Sequence, residues 1–166
     1  MNLVGQLFGG LAVVLGFVTY QVKSAKNIIW VQMATALVFC IHYVLIGAIS
    51  ACALNAVVVV RNLVYANRDK KIFSGKAVPV IFALIMATTG FISWQNTYSL
   101  FVIAGQVINT IALSFKNSQN IRKSILISSP LVLIYDVFMC SIGGIIYESI
   151  VIISSVIGII RYRRVD

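Results

Sequence analysis

The chain has little charge. Only 10% of its 166 residues are Asp, Glu, Lys or Arg, whereas soluble domains carry about 25%. So few charges cannot furnish a water-facing surface on a body of this size, and a soluble enzyme is excluded as a class. Acids are scarcest, with four Asp and Glu against 13 Lys and Arg. There is one His, and neither H-E-x-x-H nor G-x-S-x-G occurs. The motifs of metallohydrolases and serine hydrolases are therefore missing, and enzymatic function is not expected. The three Cys residues form no C-x-x-C pair and lie in or beside apolar stretches. That is the setting of packing residues, not of metal or redox ligands. No cofactor or metal ion is implied. The first apolar stretch has neither a basic leader nor an A-x-A-like site, so it is not expected to be a cleaved signal.

What the chain does have is apolar length. Hydrophobic residues make up 60% of it, and its mean hydropathy is +1.00. A membrane-crossing helix needs about 20 mostly apolar residues. Stretches near 3–20, 28–46, 50–67, 78–94, 98–115, 124–141 and 144–162 meet or approach that length. The expected fold is an all-α integral membrane bundle of seven helices. Two joints, Gly47–Ile49 and Ile142–Gly143, are short enough to demand tight antiparallel hairpins.

The basic residues supply the topology. Lys23 and Lys26 follow the first stretch. Arg68, Lys70, Lys71 and Lys76 follow the third, and Arg61 lies inside it. Lys116, Arg122 and Lys123 follow the fifth, and Arg161, Arg163 and Arg164 lie at the closing end of the seventh. With seven spans, every one of them falls on one side, which the positive-inside rule makes cytoplasmic. The N-terminus is expected outside and the C-terminus inside. Trp94, Tyr98 and Tyr147 then fall at the outer ends, where an aromatic belt is expected. The net charge of +9 is an orientation signal that also touches anionic lipid. Nucleic-acid binding is not expected, because no soluble domain carries a basic face. Arg61 is expected to snorkel to the cytoplasmic interface.

A shift of 93 positions brings the two halves into register. His42–Tyr43 falls on Tyr135–Asp136, Gly47 on Cys140, Asn55 on Glu148 and Arg68 on Arg161. Polar interruptions that coincide are harder to obtain by chance than shared hydrophobicity. The expected organisation is 3+1+3. Residues 1–67 form one triple-helix unit, 68–97 a cytoplasmic loop and linker helix, and 98–166 a second unit parallel to the first. Parallel repeats of this kind occur among transporters, with the substrate site at the repeat interface.

Lys23–Ser24–Ala25, the Tyr43…Gly47 end of the second helix and Leu54–Asn55–Ala56 are similar to segments of the SWEET and PQ-loop transporters. His42–Gly47 with Leu54–Asn55–Ala56, and Ser141–Gly144 with Glu148 and Ile159–Arg161, resemble the two halves of the bacterial inner-membrane YgjV family. The resemblance spans nearly the whole chain and implies a SWEET-like fold in the bacterial inner membrane. It departs from SWEET proteins in its prolines: only Pro79 and Pro130 are present, and no Pro-Gln dipeptide occurs. Glu148 stands where SWEET proteins carry a sugar-binding Asn.

Asp136 and Glu148 are the only acids inside spans. An ionised group at a helix centre costs about 2.5–3.5 kcal/mol on insertion scales, so such residues usually face a cavity. At about 1.5 Å per residue both land in the outer half of the bilayer. The repeat brings His42, Tyr43 and Asn55 to the equivalent layer of the other unit, and Tyr135 adjoins Asp136. Gln106 and Asn109, spaced i, i+3, share a face of the fifth helix. The expected substrate-binding set is Asn55, Glu148, Asp136, His42, Tyr43, Tyr135, Gln106 and Asn109. The expected activity is transport of a small polar solute, sugar-like or vitamin- and nucleoside-like, with protons as a candidate co-substrate and a homo-oligomer as a candidate assembly. The competing reading is a non-transport receptor or structural protein on the same plan, since a fold does not dictate its function. His42, Asp136 and Glu148 are also the alternative donor set for a metal.

Overall fold

A computed structural model describes residues 2–21, 25–67, 70, 75, 77–113 and 118–161. Lys23, Ser24, Arg68, Asp69, Lys71, Lys76, Lys116, Arg163, Arg164 and Asp166 lie outside the described residues. Among those described there are seven helices and no strand. They are α1 (Leu3–Gln21), α2 (Ala25–Leu45), α3 (Ile49–Ala66), α4 (Ala77–Ile92), α5 (Ser99–Ala112), α6 (Ser118–Phe138) and α7 (Ile142–Arg161).

Two of these helices, α3 and α7, are long and apolar enough to cross a membrane by length and composition. Shorter apolar helical segments are Leu3–Phe17, Ile29–Leu45, Ala77–Ile92 and Ser99–Ala112. Helices α2 and α6 begin earlier than the apolar stretches predict, because the helical backbone runs on through Lys26, Arg122 and Lys123. Hydropathy measures the apolar span, while intrahelical hydrogen bonding continues past it.

Six helices close a ring in the order α1, α2, α3, α5, α6, α7, with α7 returning to α1. Helix α4 lies outside the ring, against α3 and α5. The α1–α7 seam is backbone on backbone. A Cβ on Gly143 would lie 2.5 Å from the Gly9 carbonyl carbon and 2.8 Å from its oxygen. Glycine on both sides is what permits this approach, as small residues do wherever helices pack without a hydrophobic driving force.

The α2–α3 and α6–α7 turns are built alike. Each ends its helix in a Schellman motif around a left-handed residue. In the first, Gly47 has φ 79°, and in the second Cys140 has φ 52°. Ala48 N–H donates to the Tyr43 carbonyl at 2.8 Å, and Ser141 N–H to the Asp136 carbonyl at 2.9 Å. Gly47 N–H donates to Val44 and Cys140 N–H to Val137, both at 3.1 Å. Every partner in the second turn is the residue 93 positions on from its counterpart in the first. A glutamine side chain also clamps each turn. Gln95 donates to the Gly47 carbonyl and accepts from Ser50 N–H. Gln6 donates to the Cys140 carbonyl and accepts from Ile142 N–H.

The radial distribution of polarity is inverted relative to a soluble protein. Leu7, Val14, Leu84, Ile92, Ile157 and Ile160 point outward, whereas His42, Asn55, Arg61, Asn62, Asp136 and Glu148 are buried. Two expectations are corrected here. Arg61 does not reach an interface: it is 2% exposed, inside the ring. Tyr147 is not a belt residue: it packs edge-on to Phe39 at 5.1 Å and lies over Gly16, whose missing Cβ makes room for its ring.

Candidate functional site

Inside the ring lies a cavity of about 90 Å³, adjoined by a second of about 70 Å³. Both are bounded by Gln32, Gln106, Asn109, Val132, Tyr147 and Glu148. The first is completed chiefly by Thr35, Phe39, Tyr43, Asn55, Val58, Arg61 and Asn62. The second adds Gly105, Ile125, Ser128, Ser129 and Val151. The walls come from α2, α3, α5, α6 and α7, and each of these helices contributes hydrogen-bonding groups, α6 through Ser128 and Ser129.

Of the eight residues singled out from the sequence, five reach this space: Tyr43, Asn55, Gln106, Asn109 and Glu148. Three do not. His42, Tyr135 and Asp136 are fully buried in a layer nearer the α2–α3 and α6–α7 turns. In that layer the Tyr43 hydroxyl donates to Asp136 Oδ1 at 2.8 Å. These two residues are themselves 93 positions apart, so corresponding positions of the two halves meet each other. Gly144 makes room for the carboxyl group, since a Cβ there would lie 2.5 Å from Asp136 Oδ1.

His42 bridges α1 and the α6–α7 turn. Its Nδ1 lies 2.7 Å from the Gly5 carbonyl, and its Nε2 lies 2.7 Å from Ser141 Oγ. A carbonyl only accepts, so Nδ1 carries the proton, and in the neutral ring Nε2 accepts from the Ser141 hydroxyl. Both ring nitrogens are thereby occupied. The metal reading of His42, Asp136 and Glu148 is not realised, for no group of three His, Cys, Asp or Glu in metal-holding geometry occurs among the described residues.

Within the cavity, Asn55 donates its amide to the Ala51 carbonyl of its own helix at 2.9 Å. Glu148 is 9% exposed and faces into both spaces. Gln106 and Asn109 occupy one face of α5, as their spacing requires, and Gln106 Oε1 is buried without a hydrogen-bond partner among the described residues.

Sequence reasoning missed Arg61, Asn62 and Tyr147 as lining residues. The Arg61 guanidinium donates through Nη1 to Thr110 Oγ1 at 2.8 Å, and through Nε and Nη2 to Asn62 Oδ1 at 3.2 and 3.1 Å. The Tyr65 ring centroid is 6.0 Å from its central carbon. Arg61 stands five residues before the end of α3. From sequence alone that depth is compatible with snorkelling, and only its azimuth turns it inward.

A family model described as a bacterial inner membrane protein, Imp-YgjV, matches residues 3–166. The chain belongs to this family. No curated protein and no solved structure matches it. An Imp-YgjV protein resides in the inner membrane, and the inverted polarity described above answers to that setting. Outward apolar side chains meet lipid, and polar groups retreat to an interior where they can pair.

Proposed function

We propose that this Imp-YgjV protein carries a small polar solute across the bacterial inner membrane, through the cavity between two parallel triple-helix units. The observation that carries this reading is the lining itself. Thr35 and Ser128, Phe39 and Val132, Asn55 and Glu148, and Val58 and Val151 all bound the two adjoining spaces, and each pair is separated by 93 positions. A solute site at a repeat interface is built this way. The matched turns and the six-helix ring support the 3+1+3 plan of the SWEET-like group, with all seven helices spanning, the N-terminus outside and the basic ends cytoplasmic.

On this reading the turn end faces outward and is shut by the layer of His42, Tyr43, Asp136 and Ser141. The Tyr43–Asp136 hydrogen bond spans the two units, so opening outward requires it to break. The solute would be held from Asn55 on one unit and Glu148 on the other, with Gln106 and Asn109 completing the wall. These groups suit hydroxyl-bearing or amine-bearing solutes, and Glu148 offers a carrier for a coupled proton.

The test is uptake of labelled small solutes by purified protein in liposomes, with Asn55→Ala and Glu148→Gln beside wild type. Solute uptake by wild type that both variants reduce by about tenfold or more supports the reading. Uptake that neither variant changes refutes the site, and specific binding without uptake favours the receptor reading.

A further inference from the structure

We infer that the cavity selects a small amino-carboxylate, with the carboxylate seated on Arg61 and Asn62 and the ammonium group directed to Glu148. The inference rests on the solute-cavity reading above and names the substrate class for that site.

Arg61 carries a full positive charge at 2% exposure. Among the described residues its hydrogen-bond acceptors are two neutral oxygens, Asn62 Oδ1 and Thr110 Oγ1. Of the chain's four acids, Asp136 and Glu148 are described, and neither is bonded to it. A buried guanidinium is normally paired, because isolated charge is costly away from water. Beside it, Asn62 is 1% exposed, and its Nδ2 is a buried donor without a partner among the described residues. Both residues line the cavity. A guanidinium presents five donors, of which three are used here, so a planar carboxylate can be held by the remainder.

The other end of the cavity has the opposite character. Glu148 and the unpartnered Gln106 Oε1 are acceptors. Arg61 lies twelve residues into α3 and Glu148 six residues into α7 from the same end of the ring, so their backbones differ in depth by about 9 Å. Long side chains shorten that span, leaving room for a solute whose two charges are a few bonds apart. Size agrees: the spaces of about 90 and 70 Å³ together match a cavity of about 150 Å³ that holds benzene. That is the scale of β-alanine or 4-aminobutyrate.

The test is thermal stabilisation of the purified full-length protein at matched ionic strength. The probes are β-alanine and 4-aminobutyrate, butyrate as a carboxylate alone, propylamine as an amine alone, and erythritol as a neutral polyol. Wild type is compared with Arg61→Met, with Asn62→Ala, which leaves the charge in place, and with Glu148→Gln. One of the amino-carboxylates should stabilise wild type most. Arg61→Met and Asn62→Ala should each weaken that response, Arg61→Met by about tenfold or more in apparent affinity. Glu148→Gln should keep the butyrate response and lose the advantage of the amino group. Identical responses of wild type and Arg61→Met to every carboxylate overturn the inference, as does stabilisation by erythritol alone. In the latter case the transport reading survives. Arg61-dependent carboxylate binding without uptake in liposomes would instead sustain the inference and remove transport.

Discussion

Replacing Gly143 by Ala should open the α1–α7 seam. The added Cβ would sit 2.5 Å from the Gly9 carbonyl carbon and 2.8 Å from its oxygen. Relaxed contacts lie at roughly 3.5–4.0 Å, so the two helices must part by about 1 Å. Neither side can yield by rotating a side chain, because both are helix backbone. Overpacking of this kind costs about 1–3 kcal/mol, and a rigid seam puts it in the upper part of that range. Exchanging Gly for Ala returns up to about 1 kcal/mol of helix propensity, leaving a net loss of about 1–2 kcal/mol. Gly10 is the internal control. It lies in the same helix as Gly9, and a Cβ there meets nothing within 4 Å, so Gly10→Ala should gain the propensity and lose nothing. At 2–4 °C per kcal/mol for a chain of roughly this size, the two variants should differ in melting temperature by about 4–12 °C, with Gly143→Ala the lower. The measurement is thermal unfolding of the purified proteins side by side. Equal melting temperatures would refute the backbone contact between α1 and α7, and with it the closure of the ring.

Two further outcomes are expected. Tyr43→Phe removes the donor to Asp136 Oδ1 and leaves a fully buried carboxyl oxygen unsatisfied, so thermal unfolding should report a loss of about 1–3 kcal/mol; an unchanged melting temperature would mean that the bond does not hold the layer shut. Cys140 is exposed in the α6–α7 turn, and on the proposed topology that turn faces outward. A membrane-impermeant maleimide added to spheroplasts should therefore label Cys140 but not a Cys140→Ser variant, whereas labelling only after permeabilisation would reverse the orientation.

Much of the fold was legible because it follows from one-dimensional quantities. Runs of apolar residues fix which segments become helices and where the tight joints fall. The number 93 could be read from coincident polar interruptions, and it reappears in the geometry of the Gly47 and Cys140 turns and in the Tyr43–Asp136 bond. The candidate site was legible only in depth. Counting residues along a helix gives a height, and it brought Asn55, Glu148, Tyr43 and Asp136 to neighbouring layers.

Height says nothing of the direction in which a side chain points. His42 and Tyr43 are adjacent in sequence, yet a step of about 100° around the helix sends one to Gly5 and Ser141 and the other to the cavity wall. The same step decides Arg61, whose long side chain could have reached an interface but instead turns inward to Thr110 and Asn62. Tyr147, one turn from the end of its helix, is drawn inside because Gly16 on α1 leaves space for its ring. The sequence by itself determined an apolar helical chain whose polar interruptions recur 93 positions apart, with a few polar groups too costly to face lipid. The packing of six helices against one another decided which of those groups share a cavity, because azimuth is set by neighbours that are distant along the chain.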